Sequence, residues 1–391
     1  MSNKYLLSLE EENKRYLNIE LSCDLNMSCK YISYSILKEL QEYKNKIVKS
    51  NEWDKNKKFT NDYELVYISN RNNNDSIALY KPLSRAYFKM IEMINTFNLI
   101  TYNKKDEFFS GHLAEGPGGF LEALYNKSRE TGFKKYKYYG ITLVSNDKDV
   151  PGWYKAYNFL KNKNDIIISS GKDGTGNLYN IDNILHFRDT VGKNKCHIVT
   201  ADGGFDFSIN FNKQEQLSYR LIISELVSAL SIQRIGGHFV CKVFDLYTIS
   251  SSKILYFICC FYKEVYIYKP LTSRPANSEK YIIAKGFIGI DEDYLQVLFT
   301  IIKKWENLDN KHYYVNDIFG DTIPNSFLKK IKEYNKKNSE AQIQNIKNTI
   351  ELINKKKTLS FLNNIIKKQI MKAQEWCNKY NEVINYESNL L

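Results

Sequence analysis

The fold class is decided by residues 236–244, which read Gly236-Gly237-His238-Phe239-Val240-Cys241-Lys242-Val243-Phe244. Apolar and β-branched side chains that follow a glycine pair predict a buried strand. Lys242 stands inside this strand, where an unpaired ammonium group is costly to bury. If alternate residues face opposite sides, Val240, Lys242 and Phe244 share one face. Lys242 is then either paired, lining a cleft, or reaching the surface along its aliphatic stem.

Short apolar strands alternate with helices on both sides of this stretch. Such alternation predicts an α/β fold with a mostly parallel, doubly wound sheet. The last two strands are closely spaced and predict an antiparallel edge. The predicted strands lie near 107–114 and at 138–143, 165–169, 197–202, 238–244, 264–268 and 281–286, and the predicted helices lie near 84–91, 120–128, 180–190, 214–235 and 251–261.

Composition divides the 391 residues into three expected segments. A polar extension over 1–78 precedes the α/β domain at 79–290, and a basic helical extension follows over 291–391. The formal net charge of +12 suggests a polyanionic partner. A coding bias that inflates the lysine count explains the same charge, so the charge alone does not identify a partner.

Cysteine usage and hydropathy set the expected environment. The seven cysteines form no CxxC pair and show no zinc-type spacing with histidine, so we expect reduced thiols and no metal site. The start of the chain has no signal-like apolar region, and no apolar stretch has the length of a membrane-spanning helix. We therefore expect a soluble, intracellular protein without a membrane partner.

A glycine-rich turn follows the first strand of the α/β domain and reads Ala114-Glu115-Gly116-Pro117-Gly118-Gly119-Phe120. Glycines let the backbone approach a ligand closely, and the N-terminus of the next helix favours polar or anionic groups. In an open α/β sheet such a ligand lies at the carboxyl ends of the strands. The turn is not the GxGxxG of dinucleotide-binding folds, and a plain strand–helix connection remains an alternative.

Four charged residues form a candidate catalytic set, namely Lys89, Asp202, Lys242 and Glu279. A sugar hydroxyl becomes an effective nucleophile only when a base removes its proton. A lysine can be that base if burial and a neighbouring cation lower its pKa toward neutrality. We expect Lys89 to supply the second cation, and the two carboxylates to orient the ammonium group of Lys242. A capping role is the alternative for Asp202.

These residues carry a resemblance to a known family. The order Lys-Asp-Lys-Glu and the GPGGF turn at 116–120 resemble the FtsJ-like ribose 2′-O-methyltransferases. The stretches ADGGF (201–205), GGHFVCK (236–242) with FDL (244–246), and KPLTSRPANSE (269–279) are similar to the cap-1 mRNA branch of that family, found in eukaryotes and large DNA viruses. The resemblance covers about residues 79–288. It implies a Rossmann-like methyltransferase fold with seven strands, S-adenosylmethionine as methyl donor, and the 2′-hydroxyl of the first transcribed nucleotide as acceptor.

The resemblance also implies roles for individual residues. Lys242 would be the general base, with Lys89, Asp202 and Glu279 completing the site. Asn177 stands where the family has an aspartate, and Glu115 where relatives usually have a small residue. The expected donor-binding residues are Ser84, Glu115, Gly116, Pro117, Gly118, Gly119, Phe120, Asn177, Leu178 and Asp202. The expected RNA-binding residues are Trp53, Arg85, Asn212, Gln214, Arg274 and Asn277, with Trp53 in the segment that aligns with the family's guanine-stacking region.

Other interpretations stay open at this point. The same four residues suit a ribosomal or transfer RNA 2′-O-methyltransferase, and an inactive methyltransferase fold could serve as an RNA-binding subunit. The expected partner is the capped 5′ end of mRNA, with other capping or transcription proteins as further candidates and no DNA. The expected compartment is the cytoplasm, in a viral factory or a virion, for a viral chain, and the nucleus for a cellular one.

The basic extension shows apolar residues at helical spacing, namely Ile343, Ile346, Ile350 and Ile353. Such a stripe needs burial. The extension therefore either packs on the α/β domain or on a partner protein, or it binds the body of the RNA through its lysines.

Overall fold

The computed structural model describes residues 3–9, 16–48, 50–68, 75–100, 107–147, 150–204 and 211–391, so Phe205 of the ADGGF stretch lies outside the described residues. The strands are β1 (Lys4–Leu6), β2 (Ile19–Asp24), β3 (Glu107–Leu113), β4 (Lys135–Ile141), β5 (Ile166–Ser169), β6 (Cys196–Ala201), β7 (Gln233–Val243), β8 (Tyr262–Tyr268), β9 (Lys280–Phe287) and β10 (Tyr314–Phe319). The helices are α1 (Tyr34–Val48), α2 (Trp53–Asn56), α3 (Ala86–Phe97), α4 (Gly119–Thr131), α5 (Tyr157–Leu160), α6 (Ile181–Val191), α7 (Gln214–Ile232), α8 (Ile249–Phe261), α9 (Glu292–Asp309), α10 (Asn325–Asn354) and α11 (Leu359–Tyr380).

Eight strands form the main sheet, in the order β1-β8-β9-β7-β6-β3-β4-β5. The five strands from β7 to β5 in this order pair in parallel, whereas β9 pairs antiparallel with both β7 and β8. The predicted α/β fold with an antiparallel edge is confirmed. The sheet has one strand more than the seven expected, because β1 pairs antiparallel with β8, with Lys4 opposite Tyr268. Three residues are too few to show an alternating pattern in the sequence.

Apolar clusters cover both faces of the sheet. Val199 and Phe239 join the cluster that contains residues of α6, α7, α8 and α9. Ile198 and Val240, their neighbours in β6 and β7, join the cluster that contains residues of α3, α4 and α11. This division follows from the alternation of side chains along a strand. A third, smaller cluster combines residues of α1, α2 and α10.

The basic C-terminal segment packs against the rest of the chain. Phe327 of α10 belongs to the first cluster, Trp376 of α11 to the second, and Ile343 and Ile346 to the third. Packing on the α/β domain, one of the alternatives that the sequence left open, is therefore observed. None of the described helices is both long and apolar enough to cross a membrane.

One charged face at the start of α3 holds the loop of residues 269–279 at three points. Positions 85, 89 and 92 are separated by four and three residues, so their side chains lie along one face of the helix. The three contacts are Arg85 Nε to Thr272 O at 3.2 Å, Lys89 Nζ to Glu279 Oε1 at 2.6 Å, and Leu271 N to Glu92 Oε1 at 2.6 Å. Both ends of the loop are thereby fixed to the same helix.

Glu92 links this loop to the C-terminal helix. Its side chain is fully buried, and its Oε2 accepts a hydrogen bond from Trp376 Nε1 of α11 at 3.0 Å. The Tyr268 hydroxyl donates to Oε1 at 2.5 Å, and the Thr272 main-chain and side-chain donors both reach Oε2 at 3.3 Å. A buried carboxylate is tolerated only when its oxygens are satisfied in this way. Helix α11 therefore supports the base of the 269–279 loop.

We predict that Trp376→Phe loosens this loop. Phenylalanine keeps an aromatic ring against Phe88 and Tyr380 but removes the indole N–H that Glu92 accepts. The free energy of unfolding should fall by about 1.5–3 kcal/mol, the range for a hydrogen bond to a charged group. Hydrogen exchange should accelerate at the amides of Leu271 and Thr272. Trp305→Phe, in the first apolar cluster, is the matched control. Equal protection of the two amides in both variants would contradict the prediction.

We predict that a chain ending near residue 295 does not fold cooperatively. The deletion removes Trp305, Phe327 and Trp376 from apolar clusters that are otherwise continuous with the sheet, and so exposes apolar surface on both faces. Thermal unfolding followed by circular dichroism checks this against the full chain. A sharp transition in the truncated chain would show that the C-terminal packing is dispensable.

Candidate active site

The four candidate catalytic residues meet at one edge of the sheet. Asp202 directly follows β6, Lys242 is the penultimate residue of β7, and Glu279 immediately precedes β9. These three strands are neighbours, and β9 runs antiparallel to β7, so the ends of β6 and β7 and the start of β9 lie together. Lys89, in the first turns of α3, reaches the same edge. Sequence positions far apart are thereby brought into one group.

The four side chains form two ion pairs. Lys89 Nζ lies 2.6 Å from Glu279 Oε1, and Lys242 Nζ lies 3.3 Å from Asp202 Oδ1. Lys242 Nζ also donates to the main-chain oxygen of Asp202 at 2.6 Å. Each of the four side chains is between 13% and 16% exposed, which leaves them reachable from solvent but mostly enclosed.

Two hydroxyl groups hold the carboxylates of the set. Tyr281 OH donates to Asp202 Oδ1 at 3.0 Å, and Ser273 Oγ donates to Glu279 Oε1 at 2.9 Å. Tyr281 lies directly opposite Lys242 in the pairing of β7 with β9. The orientation of both acids is therefore fixed by neutral donors as well as by the lysines.

The expected lowering of the Lys242 pKa is wrong for this arrangement of protein groups. Burial lowers the pKa of Lys242, but the carboxylates of Asp202, Glu279 and Glu225 outweigh burial and leave it raised. Burial likewise raises the pKa of Glu279, but Lys89 and Lys242 outweigh it and lower that pKa to about 2. The protein alone therefore holds Lys242 as an ammonium ion and Glu279 as a carboxylate.

Glu225 is a buried acid beneath the site that the sequence interpretation missed. It lies on α7 and accepts a hydrogen bond from Gly203 N at 3.1 Å. A Cβ at position 203 would lie 2.2 Å from Glu225 Oε1 and 2.8 Å from Leu221 Cδ2, so a larger residue there would displace both side chains. Burial raises the pKa of Glu225 to about 8. The available signal was a glutamate inside the otherwise apolar run of α7.

Lys269 is a second residue that the sequence interpretation missed. Its ammonium group donates to Asn277 O at 2.7 Å, to Asn277 Oδ1 at 2.8 Å and to Glu279 O at 2.8 Å. Burial and the neighbouring charge of Lys280 lower the pKa of Lys269 to about 7. Lys269 therefore shapes the end of the loop that presents Asn277 and Glu279.

The glycine turn lies beside this group, between β3 and α4. Gly118 precedes α4 with φ of +102°, a backbone conformation that favours glycine. A Cβ at position 119 would lie 2.4 Å from Ser84 Oγ, and one at position 116 would lie 2.1 Å from Pro151 O. The turn therefore packs tightly on two neighbouring segments at Gly116 and Gly119, and Pro117 between them is half-buried.

The other expected donor-binding residues are placed differently. Glu115 is buried, with Oε2 3.0 Å from His112 Nδ1, and the side chains of Phe120 and Leu178 lie in the apolar clusters. These three side chains point into the protein. Asn177 is half-buried, and its Oδ1 accepts from Tyr179 N at 2.9 Å.

The turn fits the amino-acid end of S-adenosylmethionine. The main-chain N–H groups in the first turn of α4 favour a carboxylate. Ser84 Oγ, next to Gly119, is buried and has no hydrogen-bond partner among the described residues. For the same part of the chain, no group of three or more His, Cys, Asp or Glu side chains is placed to hold a metal ion.

Two of the expected RNA-binding residues are held by one acid. Arg274 Nη2 lies 2.7 Å and Arg85 Nη1 lies 3.3 Å from Glu64 Oε1. Glu64 is buried, and the guanidinium of Arg85 also donates to three further main-chain oxygens, those of Tyr63, Glu64 and Tyr67. The Arg274 side chain keeps 35% of its surface exposed, so it is the more accessible of the two arginines.

Three amide residues border the same region. Asn277 is exposed, next to Ser278. Gln214 Oε1 accepts from Ser278 Oγ at 3.0 Å, and Asn212 Nδ2 donates to Asn45 Oδ1 at 3.0 Å. Asn277 thus lies two residues before Glu279 in the chain. Gln214 is linked to the same stretch by its hydrogen bond with Ser278.

Trp53 is not placed for the stacking expected of it. Its side chain is 8% exposed and belongs to the third apolar cluster, with residues of α1 and α10. The physical reason is that the apolar faces of these two helices need a large side chain to fill the space between them. The ring of Trp53 is therefore not exposed for stacking on a guanine base.

Comparison with known proteins gives a consistent result. Three curated relatives are named cap-specific mRNA (nucleoside-2′-O-)-methyltransferase 1. The Mus musculus protein is 35% identical over 273 residues, covering 65% of this chain and 31% of that protein. The Homo sapiens protein is 35% identical over 250 residues (58% and 29%), and the Caenorhabditis elegans protein is 31% identical over 258 residues (64% and 26%). The chain spans at most about a third of the length of these relatives.

The family comparison covers the whole candidate site at the sheet edge. The sequence model described as FtsJ-like methyltransferase matches residues 82–287, more than half of the chain. That range includes Lys89, Asp202, Lys242 and Glu279 together with the glycine turn. The chain therefore belongs to the FtsJ-like methyltransferase family, whose enzymes use S-adenosylmethionine.

Proposed function

We propose that this protein methylates the cap of mRNA, transferring a methyl group from S-adenosylmethionine to the ribose 2′-hydroxyl of the first transcribed nucleotide. The observation that carries the proposal is the meeting of Lys89, Asp202, Lys242 and Glu279 beside the glycine turn. The names of the relatives support the choice of substrate. The proposed partner is accordingly the capped 5′ end of mRNA, and the place of action is wherever capped transcripts are present.

Lys242 is the proposed general base. Its Nζ is aimed by the main-chain oxygen of Asp202 at 2.6 Å and by the Asp202 carboxylate at 3.3 Å. Only the neutral amine can accept the hydroxyl proton, so the ammonium form must first lose its own. S-adenosylmethionine, when bound, supplies a methyl group activated by a positively charged sulfur. Lys89 and Glu279 hold the loop that borders the acceptor, because their ion pair fixes its end.

The proposed RNA contacts lie around this base. Arg274 and Asn277 come from the 269–279 loop, and Gln214 is linked to that loop through Ser278. Arg274 supplies positive charge for phosphate, and the amides of Asn277 and Gln214 supply donors and acceptors. The proposed domain division follows from this placement, with the methyltransferase machinery at 79–290 and the segments 1–78 and 291–391 packed around it.

Matched transcripts test the proposed substrate. The full chain is incubated with methyl-labelled donor and with transcripts that differ only in the presence of the cap, and the RNA is then digested to nucleosides. We expect the label on the ribose of the first nucleotide, and only in the capped transcript. Equal labelling of both transcripts would replace the proposal with a general RNA 2′-O-methyltransferase, and absence of label would leave an RNA-binding role.

Substitution of Lys242 tests the assignment of the base. Lys242→Ala and Lys242→Arg should both lower kcat by about 100-fold or more, because neither side chain can take the proton at neutral pH. Binding of S-adenosylhomocysteine, measured by calorimetry, should stay close to wild type. Lys253→Arg, at a buried lysine paired with Asp317, is the control and should keep its activity. Retention of more than a few per cent of activity in Lys242→Arg would refute the assignment.

The same assignment predicts the pH dependence of the wild type. The pKa of Lys242 is raised, so the protonated form dominates at and below the ordinary lysine range. The rate should therefore rise from mildly acidic to alkaline pH as the amine form becomes populated. A rate that is flat over that range, with chemistry shown to limit turnover, would speak against a lysine base.

A further inference from the structure

A cavity outside the catalytic set lies beside the first turns of α7. Its volume is about 210 Å³, and its wall includes parts of α9 and β10 as well as the segment around Cys29. None of the four catalytic residues lines it. Five aromatic side chains do, namely Tyr179, Tyr219, Trp305, Tyr313 and Tyr314. Such a wall suits a flat ring better than an aliphatic or a highly charged ligand.

The rim of this cavity is aromatic, and lysines lie near its residues in the sequence. Tyr313 is 37% exposed and Tyr314 is 48% exposed, and a second pair of exposed rings is formed by Tyr31 and Tyr34, with ring centres 5.7 Å apart. Tyr31 joins the rim through its hydroxyl, which accepts from Gln216 Nε2 at 3.1 Å. Exposed lysines adjoin these tyrosines in the chain or precede α7, namely Lys30, Lys213 and Lys311. Aromatic rings with lysines between them are typical of surfaces that bind single-stranded nucleic acid.

Polar groups inside the cavity indicate what the ring should carry. Gln216 Oε1 is buried and has no hydrogen-bond partner within the described ranges, so it can accept from a ligand. The guanidinium of Arg220 lies 4.2 Å from the Tyr179 ring centre and is held by Asp309 at 2.6 Å. An aromatic ring with an N–H donor at its edge satisfies Gln216 Oε1, and a nucleobase is such a ring.

The cavity, with its rim, is connected to the catalytic edge by a short run of residues. Gln216 lies two positions after Gln214, whose Oε1 accepts from Ser278 Oγ, and Ser278 precedes Glu279. The first turn of α7 therefore carries both a residue tied to the catalytic edge and a residue that lines the cavity. The lysines of the rim favour a polyanion over an uncharged or basic protein segment.

We propose that this pocket holds one unstacked base of the RNA, on the 3′ side of the methylated nucleotide. The inference rests on the proposed function and extends it, because it identifies how RNA beyond the cap is bound. Stacking on an aromatic platform is tolerant of base identity, so the pocket contributes affinity for RNA length and little sequence preference.

Binding of uncapped oligoribonucleotides tests the pocket without any methyl transfer. Fluorescence anisotropy is measured for the full chain with RNA of about eight nucleotides and with a dinucleotide. The double variant Tyr313→Ala/Tyr314→Ala should bind the longer RNA about tenfold more weakly and the dinucleotide equally well, since only the longer RNA reaches the pocket. Tyr313→Phe/Tyr314→Phe keeps both rings and should retain most of the affinity. Tyr386→Ala, at a tyrosine that is 79% exposed elsewhere, is the control and should change nothing.

The outcomes separate this inference from the proposed function. Unchanged affinity for the longer RNA in the alanine variant overturns the pocket, and so does an equal loss in the phenylalanine variant. A selective loss in the alanine variant supports the pocket, even if capped and uncapped transcripts are methylated alike. Cap-dependent methylation that persists with unchanged RNA affinity overturns the pocket and leaves the proposed function intact.

Discussion

The 2.6 Å ion pair between Lys89 and Glu279 joins a helix on one face of the sheet to the end of a loop that crosses the sheet edge. Because Glu279 directly precedes β9, fixing its side chain also fixes the start of the strand that lies beside Lys242. Ser273 donates to the same carboxylate oxygen, so the loop closes on itself around this pair. Further contacts hold the middle of the loop, since Arg274 is paired with Glu64 and Asn277 accepts from Lys269. The site therefore depends on one helix face that binds both ends of one loop.

Packing extends this constraint to the C-terminal segment. Glu92 lies one turn beyond Lys89 on α3 and accepts from Trp376 of α11 as well as from the base of the loop. A buried carboxylate needs all of these donors. If α11 moved, Glu92 would lose the hydrogen bond from Trp376 Nε1. On the other side, Gln342 of α10 donates to Ala276 O in the same loop at 2.9 Å. The C-terminal helices are thus part of the support of the loop, although the family match ends at residue 287.

The strands of the α/β domain and the candidate positions Lys242 and Asp202 leave local signals in the sequence, whereas Lys89 and Glu279 join the candidate set through the family resemblance. A lysine in an apolar strand, glycines after a strand and alternating short elements are visible without any tertiary contact. β1 could not be found in this way, since three residues carry no period and the strand exists only through its pairing with β8. Glu92 and Glu225 were missed for a related reason, because a single acid on a helix shows nothing of the donors that will surround it. Trp53 was assigned to guanine stacking from the family resemblance alone. Its position follows instead from packing between α1 and α10, which the sequence around it does not show.

Two requirements on Lys242 oppose each other in this site, namely a fixed orientation and a low pKa. The carboxylates of Asp202 and Glu279 are needed to orient the lysines, and the same negative charges raise the pKa of the amine that should act as base. Burial opposes them but does not prevail, and the charge of Lys89 is already paired with Glu279 at 2.6 Å. Positive charge brought by a bound ligand would lower that pKa. The sulfonium of S-adenosylmethionine, held at the glycine turn, would supply such a charge beside Lys242.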